Sequence, residues 1–245
     1  MWIYEGLRLN LEDREILSFI GGGGKTTTIF QLGKELKKLG KKVLITTTTA
    51  IYNPEEREYD YYFLKDLDNE FIPKNGTITI IGRKVKDGKL IGLDLFKIEE
   101  IIDKKIFDFI LIEADGAKGQ PIKVPAIHEP VVPESTTKTI GLIGLDCLGK
   151  KVKKIVHRPE IFMEVIGKDC SGTVDAQAVV RLVLSDKGLF KGANGERILL
   201  LNKAYNEEIL FKGIRIREML LEKGFEDKII IANIITKEFY WGEIE

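Results

Sequence analysis

Seven short apolar runs, each rich in β-branched residues, recur at Glu15–Ile20, Val43–Thr47, Thr77–Ile81, Phe107–Ile112, Thr139–Ile143, Arg197–Leu201 and Lys228–Ile235, and helix-like patterns separate several of them. Parallel strands cannot be joined by tight turns and need cover on both faces, so this rhythm predicts an α/β fold, a mainly parallel sheet flanked by helices. The first helix is expected from the glycine-rich stretch near position 21 to Leu39, because Ile29, Leu32, Leu36 and Leu39 fall three and four apart and Gly40 stops the pattern. Further helices are expected over Leu95–Lys105, Pro159–Ile166, Val174–Leu184 with Thr173 as N-cap, and Glu207–Lys223. Two stretches break the rhythm. Tyr52–Asp68 is rich in tyrosine and acid, and Arg83–Leu93 holds Asp87-Gly88 between short extended runs, the mark of a hairpin. A single domain over 1–245 is expected, with a small β-hairpin insertion at 77–93.

At 245 residues and 44% hydrophobic, the chain can bury one good-sized core. Its 38 basic and 38 acidic residues are interspersed, which gives no electrostatic footprint for nucleic acid or an anionic membrane and turns attention to small-molecule chemistry. Cys147 and Cys170 lack metal-type spacing, no apolar span or leader stands out, and a cytoplasmic location is expected. Cys147, within "GLDCLG", reads as a small buried residue.

The stretch "IGGGGKTTT", Ile20 to Thr28, follows the first strand run and opens the first helix. A strand that ends in glycines and feeds a helix offers free N–H groups and the positive end of a helix dipole, an arrangement suited to a phosphate chain. Gly21, Gly22, Gly23 and Gly24 would form the cradle. Lys25 would reach the outer phosphates, and a hydroxyl of Thr26 or Thr27 suits Mg²⁺. Walker A spacing is not met, since its first glycine would fall at Phe19; the G-x-x-G-K-T-T form from Gly21 to Thr27 resembles the compact phosphate loop of Mur-type ATP-dependent ligases.

A nucleotide site also needs a carboxylate at the end of a neighbouring strand. Glu113 and Asp115 follow the run Phe107–Ile112, and their spacing of two points them the same way if the strand continues. Glu113 is the candidate metal ligand with Thr26, a role the Mur-type resemblance favours, and Asp115 is a second ligand or a base. Thr46–Thr49 either face the phosphates or follow β-propensity alone.

Together, "FIGGGGKTTTIFQLGKELKKLGKKVLITTTTAIYNP", "IEADGAKGQPIKVPAIHEPVVP" and "IGLDCLGKKV" with "VHRPEI" resemble the YqeC family, over nearly the whole chain. That resemblance implies a P-loop NTPase-like fold, a nucleotide-dependent activity, and a role in maturing selenium-dependent molybdenum hydroxylases. The cofactors expected are ATP or GTP with Mg²⁺, and the partners expected are a nucleoside triphosphate and a client hydroxylase or cofactor carrier. Within Asp115–Pro133, Lys118 and Lys123 are candidates for an oxyanion and His128 for a proton carrier or second-substrate contact. Arg158, in the family's "HR" pair, is a candidate charge-stabilising finger. Asn202-Lys203 resembles the base-reading N-K-x-D of GTPases but has Tyr205 where the aspartate would stand, which leaves the base open with ATP slightly favoured. Three activities fit: phosphoryl or nucleotidyl chemistry, a nucleotide-gated chaperone that docks on its client, and a Mur-like ligase.

Overall fold

A computed structural model describes residues 1–68, 70–167 and 172–241. Cys170 lies outside the described residues. In chain order the strands are β1 (Glu15–Gly21), β2 (Lys42–Thr47), β3 (Ala50–Tyr52), β4 (Tyr61–Leu64), β5 (Thr77–Gly82), β6 (Lys84–Lys86), β7 (Lys89–Ile91), β8 (Phe109–Glu113), β9 (Ile122–Lys123), β10 (Lys138–Gly144), β11 (Val156–His157), β12 (Glu196–Asn202), β13 (Lys228–Asn233) and β14 (Glu238–Tyr240). The helices are α1 (Ile3–Gly6), α2 (Lys25–Lys38), α3 (Leu95–Asp103), α4 (Val152–Ile155), α5 (Pro159–Ile166), α6 (Ala176–Leu184) and α7 (Glu207–Glu222).

Nine strands form one sheet in the order β14-β13-β12-β10-β1-β8-β2-β5-β4. Every pairing in it is parallel except β13 with β14 at one edge. From β1 the chain first builds outward through β2, β4 and β5. It then returns to β8, inserted between β1 and β2, and crosses to β10, β12 and β13 on the other side. Ligands of open α/β sheets settle where the winding reverses, outside the carboxyl ends of the strands, here β1, β8 and β10. Register brings those ends level, since Phe19 and Thr47 both pair with Glu113.

Alternation along the strands fills both faces. Leu17, Phe19, Ile45 and Leu111 pack against Ile29, Leu32 and Leu36 of α2. On the opposite face Leu44, Ile110 and Ile112 meet Ile98, Ile101 and Ile102 of α3, while Ile20, Ile143 and Leu201 meet α5, α6 and α7 through Phe162, Val179 and Ile216. Each such side chain contributes about 1.5–3 kcal/mol when fully buried. The result is the α/β, P-loop NTPase-like architecture of a parallel sheet between helical layers. Among the described residues no helix is long and apolar enough to cross a membrane.

Several details differ from the sequence expectations. Tyr61–Leu64, in the tyrosine-rich stretch, forms the outermost strand beside β5. The hairpin turns at Asp87-Gly88, both at positive φ, but comprises only β6 and β7, and β7 also pairs with β3 in a separate three-stranded sheet. Thr77–Gly82 belongs to the main sheet, because its buried residues pair with β2. Asp175 rather than Thr173 caps α6, its carboxylate accepting from Ala178 N at 2.7 Å. Thr173 instead bridges Lys151, and Val174 N donates to Lys150 O at 2.9 Å, so the chain there is still extended.

Candidate nucleotide site

β1 ends in Gly21, and three residues separate it from the start of α2 at Lys25. Between them Gly21, Gly23 and Gly24 take φ of 88°, 86° and 120°, conformations that side chains disfavour. Space also demands glycine: a Cβ on Gly23 would stand 2.2 Å from Gly144 N, and one on Gly22 2.6 Å from Gln120 O. The loop is pinned from outside, Gly22 N donating to Leu142 O at 2.9 Å and Gly23 N to Gln120 O at 3.1 Å. Beyond it, the N–H groups of Gly24, Lys25, Thr26 and Thr27 have no hydrogen-bond partner among the described residues. Four unpaired donors at the positive end of a 14-residue helix make a built anion cradle.

Lys25 is buried and folded back: its Nζ donates to Gly21 O at 2.5 Å and lies 3.0 Å from Asp115 Oδ1 and 4.0 Å from Glu113 Oε1. Thr26 Oγ1 donates to Glu113 Oε2 at 2.7 Å. A hydroxyl and a carboxylate in contact beside a phosphate cradle are the oxygen donors that Mg²⁺ takes, with phosphate and water completing its shell. The residues present fit a metal-nucleotide. Burial pushes the Glu113 carboxyl above the usual range, against the pull of Lys25 and Thr26. Thr47 holds this strand end by donating to Glu113 O at 2.8 Å.

Asp115 is buried, accepts from Gly21 N at 2.9 Å, and is flanked by two lysines. The second is Lys123, whose side chain is 0% exposed; its Nζ lies 3.2 Å from Asp115 Oδ2 and donates to Gly116 O and Glu129 Oε2, both at 2.7 Å. Glu129 in turn accepts two bonds from Arg158, at 2.5 and 3.0 Å. An unbroken charge chain therefore runs Lys25, Asp115, Lys123, Glu129, Arg158. Burial alone would raise the Glu129 carboxyl, but Arg158 and Lys123 outweigh it and hold it at about 2.

These groups border a cleft of about 950 Å³ that Thr26, Thr27, Glu113, Lys118, His157, Arg158 and Lys203 help to line. Sequence reasoning did not single out His157 for a role. Burial, then the charges of Arg158, Lys123 and Lys118, pull its imidazole down to about 4. Gly23–Thr27, Glu113, Lys118 and Arg158 line this one cleft, with Gly21 and Gly22 buried and Asp115 buried against Lys25, whereas Lys123 faces inward and His128 is exposed on a loop outside the cleft lining. Asn202 is buried with both ends engaged: Nδ2 donates to Gly23 O at 2.8 Å and Oδ1 accepts from Ile234 N at 3.1 Å, tying the loop to the sheet. Lys203 reaches the cleft and pairs with Asp146 Oδ2 at 2.8 Å. Of the threonines, Thr46 and Thr48 bond carbonyls of Ile81 and Val131, and Thr49 lines the cleft. Cys147 is buried, and burial pushes its thiol far up, which fits a structural residue.

A family model described as YqeC protein matches residues 17–160, the span that carries the loop, the acidic strand end and the Asp115–Pro133 segment. The chain is 34% identical over 180 residues to the Escherichia coli (strain K12) protein named Uncharacterized protein YqeC, covering 72% of this chain and 70% of that protein. It is 27% identical over 179 residues to a guanylate kinase of Haemophilus influenzae (strain 86-028NP), covering 68% and 86%. No solved structure matches.

Proposed function

The chain belongs to the YqeC family, and we propose that it binds a nucleoside triphosphate with Mg²⁺ at Gly21–Thr27 and catalyses phosphoryl or nucleotidyl chemistry there. The observation that carries the reading is the row of four unpaired N–H groups from Gly24 to Thr27 beside Lys25 and the Thr26–Glu113 pair. The similarity to a guanylate kinase, a nucleotide-dependent enzyme by its name, supports it.

In this reading the glycine cradle and Lys25 hold the phosphates, Lys25 leaving Asp115 for them. Thr26 and Glu113 would hold the metal, which would screen phosphate charge. Lys118 and Arg158 stand by to stabilise transferred charge, and Lys203 lies where the nucleoside can pack on its stem. Lys123, 3.2 Å from Asp115, holds that carboxylate in place to receive Lys25 back after release. We propose further that this chemistry serves maturation of selenium-dependent molybdenum hydroxylases in the cytoplasm.

Phosphate release measured with Mg·ATP and Mg·GTP tests the reading. Turnover above background, reduced about 10²-fold or more in Glu113→Gln, is expected if that carboxylate serves the metal. Turnover indifferent to Glu113 would contradict it. A second reading, a nucleotide-gated chaperone with client-dependent turnover, is favoured by Ile127, 95% exposed on a loop whose Ala126 and Ile127 carbonyls are held by Lys191. Robust turnover of the isolated protein excludes it.

A further inference from the structure

The cleft does not end at the phosphate cradle. Thr27, Phe30, Gln31 and Lys34 share one face of α2 and all line it. At about 1.5 Å per residue, that face runs roughly 10 Å along the helix from Thr27 to Lys34. Beside it stand Tyr52 and Lys89, paired in register across β3 and β7, with the Lys89 ammonium 5.7 Å from the Tyr52 ring centroid. Glu58 closes this end, 3.7 Å from Lys34.

Packing leaves two features here unexplained. Tyr52 is 78% exposed, so its ring adds little to the fold. Gln31 Oε1 is buried yet accepts no hydrogen bond among the described residues, which costs about 1–3 kcal/mol unless a donor meets it. A buried acceptor, an open aromatic plane and two lysines suit a flat heterocycle that carries N–H groups and an anion: the ring stacks, the N–H meets Gln31, and the lysines draw the charge. Nucleoside monophosphates combine all three properties.

We propose that this outer part of the cleft binds a nucleoside monophosphate as a second ligand, alongside a triphosphate on the glycine loop. The proposal rests on the triphosphate reading of Gly21–Thr27. With the monophosphate on the face that leads away from Thr26, its base lies between α2 and β3 against Tyr52 and Gln31, and its anionic end meets Lys34 and Lys89.

The test is calorimetric titration of AMP, GMP, CMP and UMP into protein saturated with Mg²⁺ and a non-hydrolysable triphosphate analogue. One-to-one binding of at least one of the four is expected, weakened about tenfold or more by Tyr52→Ala and by Gln31→Leu and recovered in Tyr52→Phe. Both weakening variants should keep the wild-type affinity for the triphosphate analogue. If they weaken the analogue as well, the lobe holds the triphosphate's own base and the proposal fails. It fails equally if none of the four binds the loaded wild type, or if binding ignores Tyr52 and Gln31. An analogue that does not bind the wild type at all would remove the reading of the loop, and this proposal with it.

Discussion

Lys123 is the residue whose surroundings say most about how the site is held. A fully buried ammonium is costly unless paired, and Lys123 meets two carboxylates and a carbonyl. Lys123→Met leaves Asp115 and Glu129 short of a partner and is expected to destabilise the fold by about 3–5 kcal/mol in urea denaturation. A loss under 1 kcal/mol would show that the network is slack. His157 gives a second residue-scale prediction. The protein has two histidines, so ring signals in an NMR titration are readily assigned, and His157 should titrate near 4 rather than the ordinary value of about 6.5. Because its folded value is depressed, the unfolded chain takes up the proton first as pH falls below about 6.5; its contribution to stability drops until about pH 4 and is flat below. Glu129 adds a loss lower down, since its contribution is present above the usual carboxylate value near 4.3 and disappears as pH falls through about 2.

The glycine loop shows how an element is dictated by its neighbours. Gly23→Ala forces both a positive φ and a 2.2 Å approach to Gly144 N, and should cost about 1–3 kcal/mol of stability along with analogue binding. Gly116→Ala has open space and no positive φ, so its melting temperature should stay close to wild type. Differential scanning calorimetry of the pair decides whether the strain is local to the cradle. Much of this element was legible in the sequence, because a strand run, glycines, Lys-Thr-Thr and a 3.6-period helix each carry their own local signal. Glu113 and Asp115 were legible for the same reason, lying at a strand end with a spacing of two. Lys123 was read as a phosphate contact because its charge is visible and its burial is not; only the approach of Glu129 and Asp115 turns it inward. His157 and Gln31 gave no signal, since what distinguishes them is the charge and space around them. β4 and β14 were missed as well, being edge strands of four and three residues whose partners, not their patterns, make them strands.

At the scale of the whole molecule, the candidate site lies where the winding of a nine-stranded sheet reverses, and it holds a carboxylate whose burial opposes its charge. Glu113 illustrates this. Its folded value is raised by burial, so the stability it lends is present below the unfolded carboxylate value and is lost as pH rises through the folded one. Glu113→Gln removes that cost and should raise the melting temperature of the nucleotide-free protein by about 2–4 °C for each 1 kcal/mol gained, while reducing the further rise that Mg·nucleotide produces. A lowered melting temperature without nucleotide would mean that the pairing with Lys25 and Thr26 outweighs the burial. The central claim, that Gly21–Thr27 is a triphosphate cradle, is tested most directly by calorimetric titration of wild type and Lys25→Ala with non-hydrolysable ATP and GTP analogues in the presence of Mg²⁺. The account predicts one-site binding to the wild type, with the preferred base revealed by the comparison, and none to folded Lys25→Ala. Wild-type affinity in Lys25→Ala, or no binding of either analogue to the wild type, would contradict it.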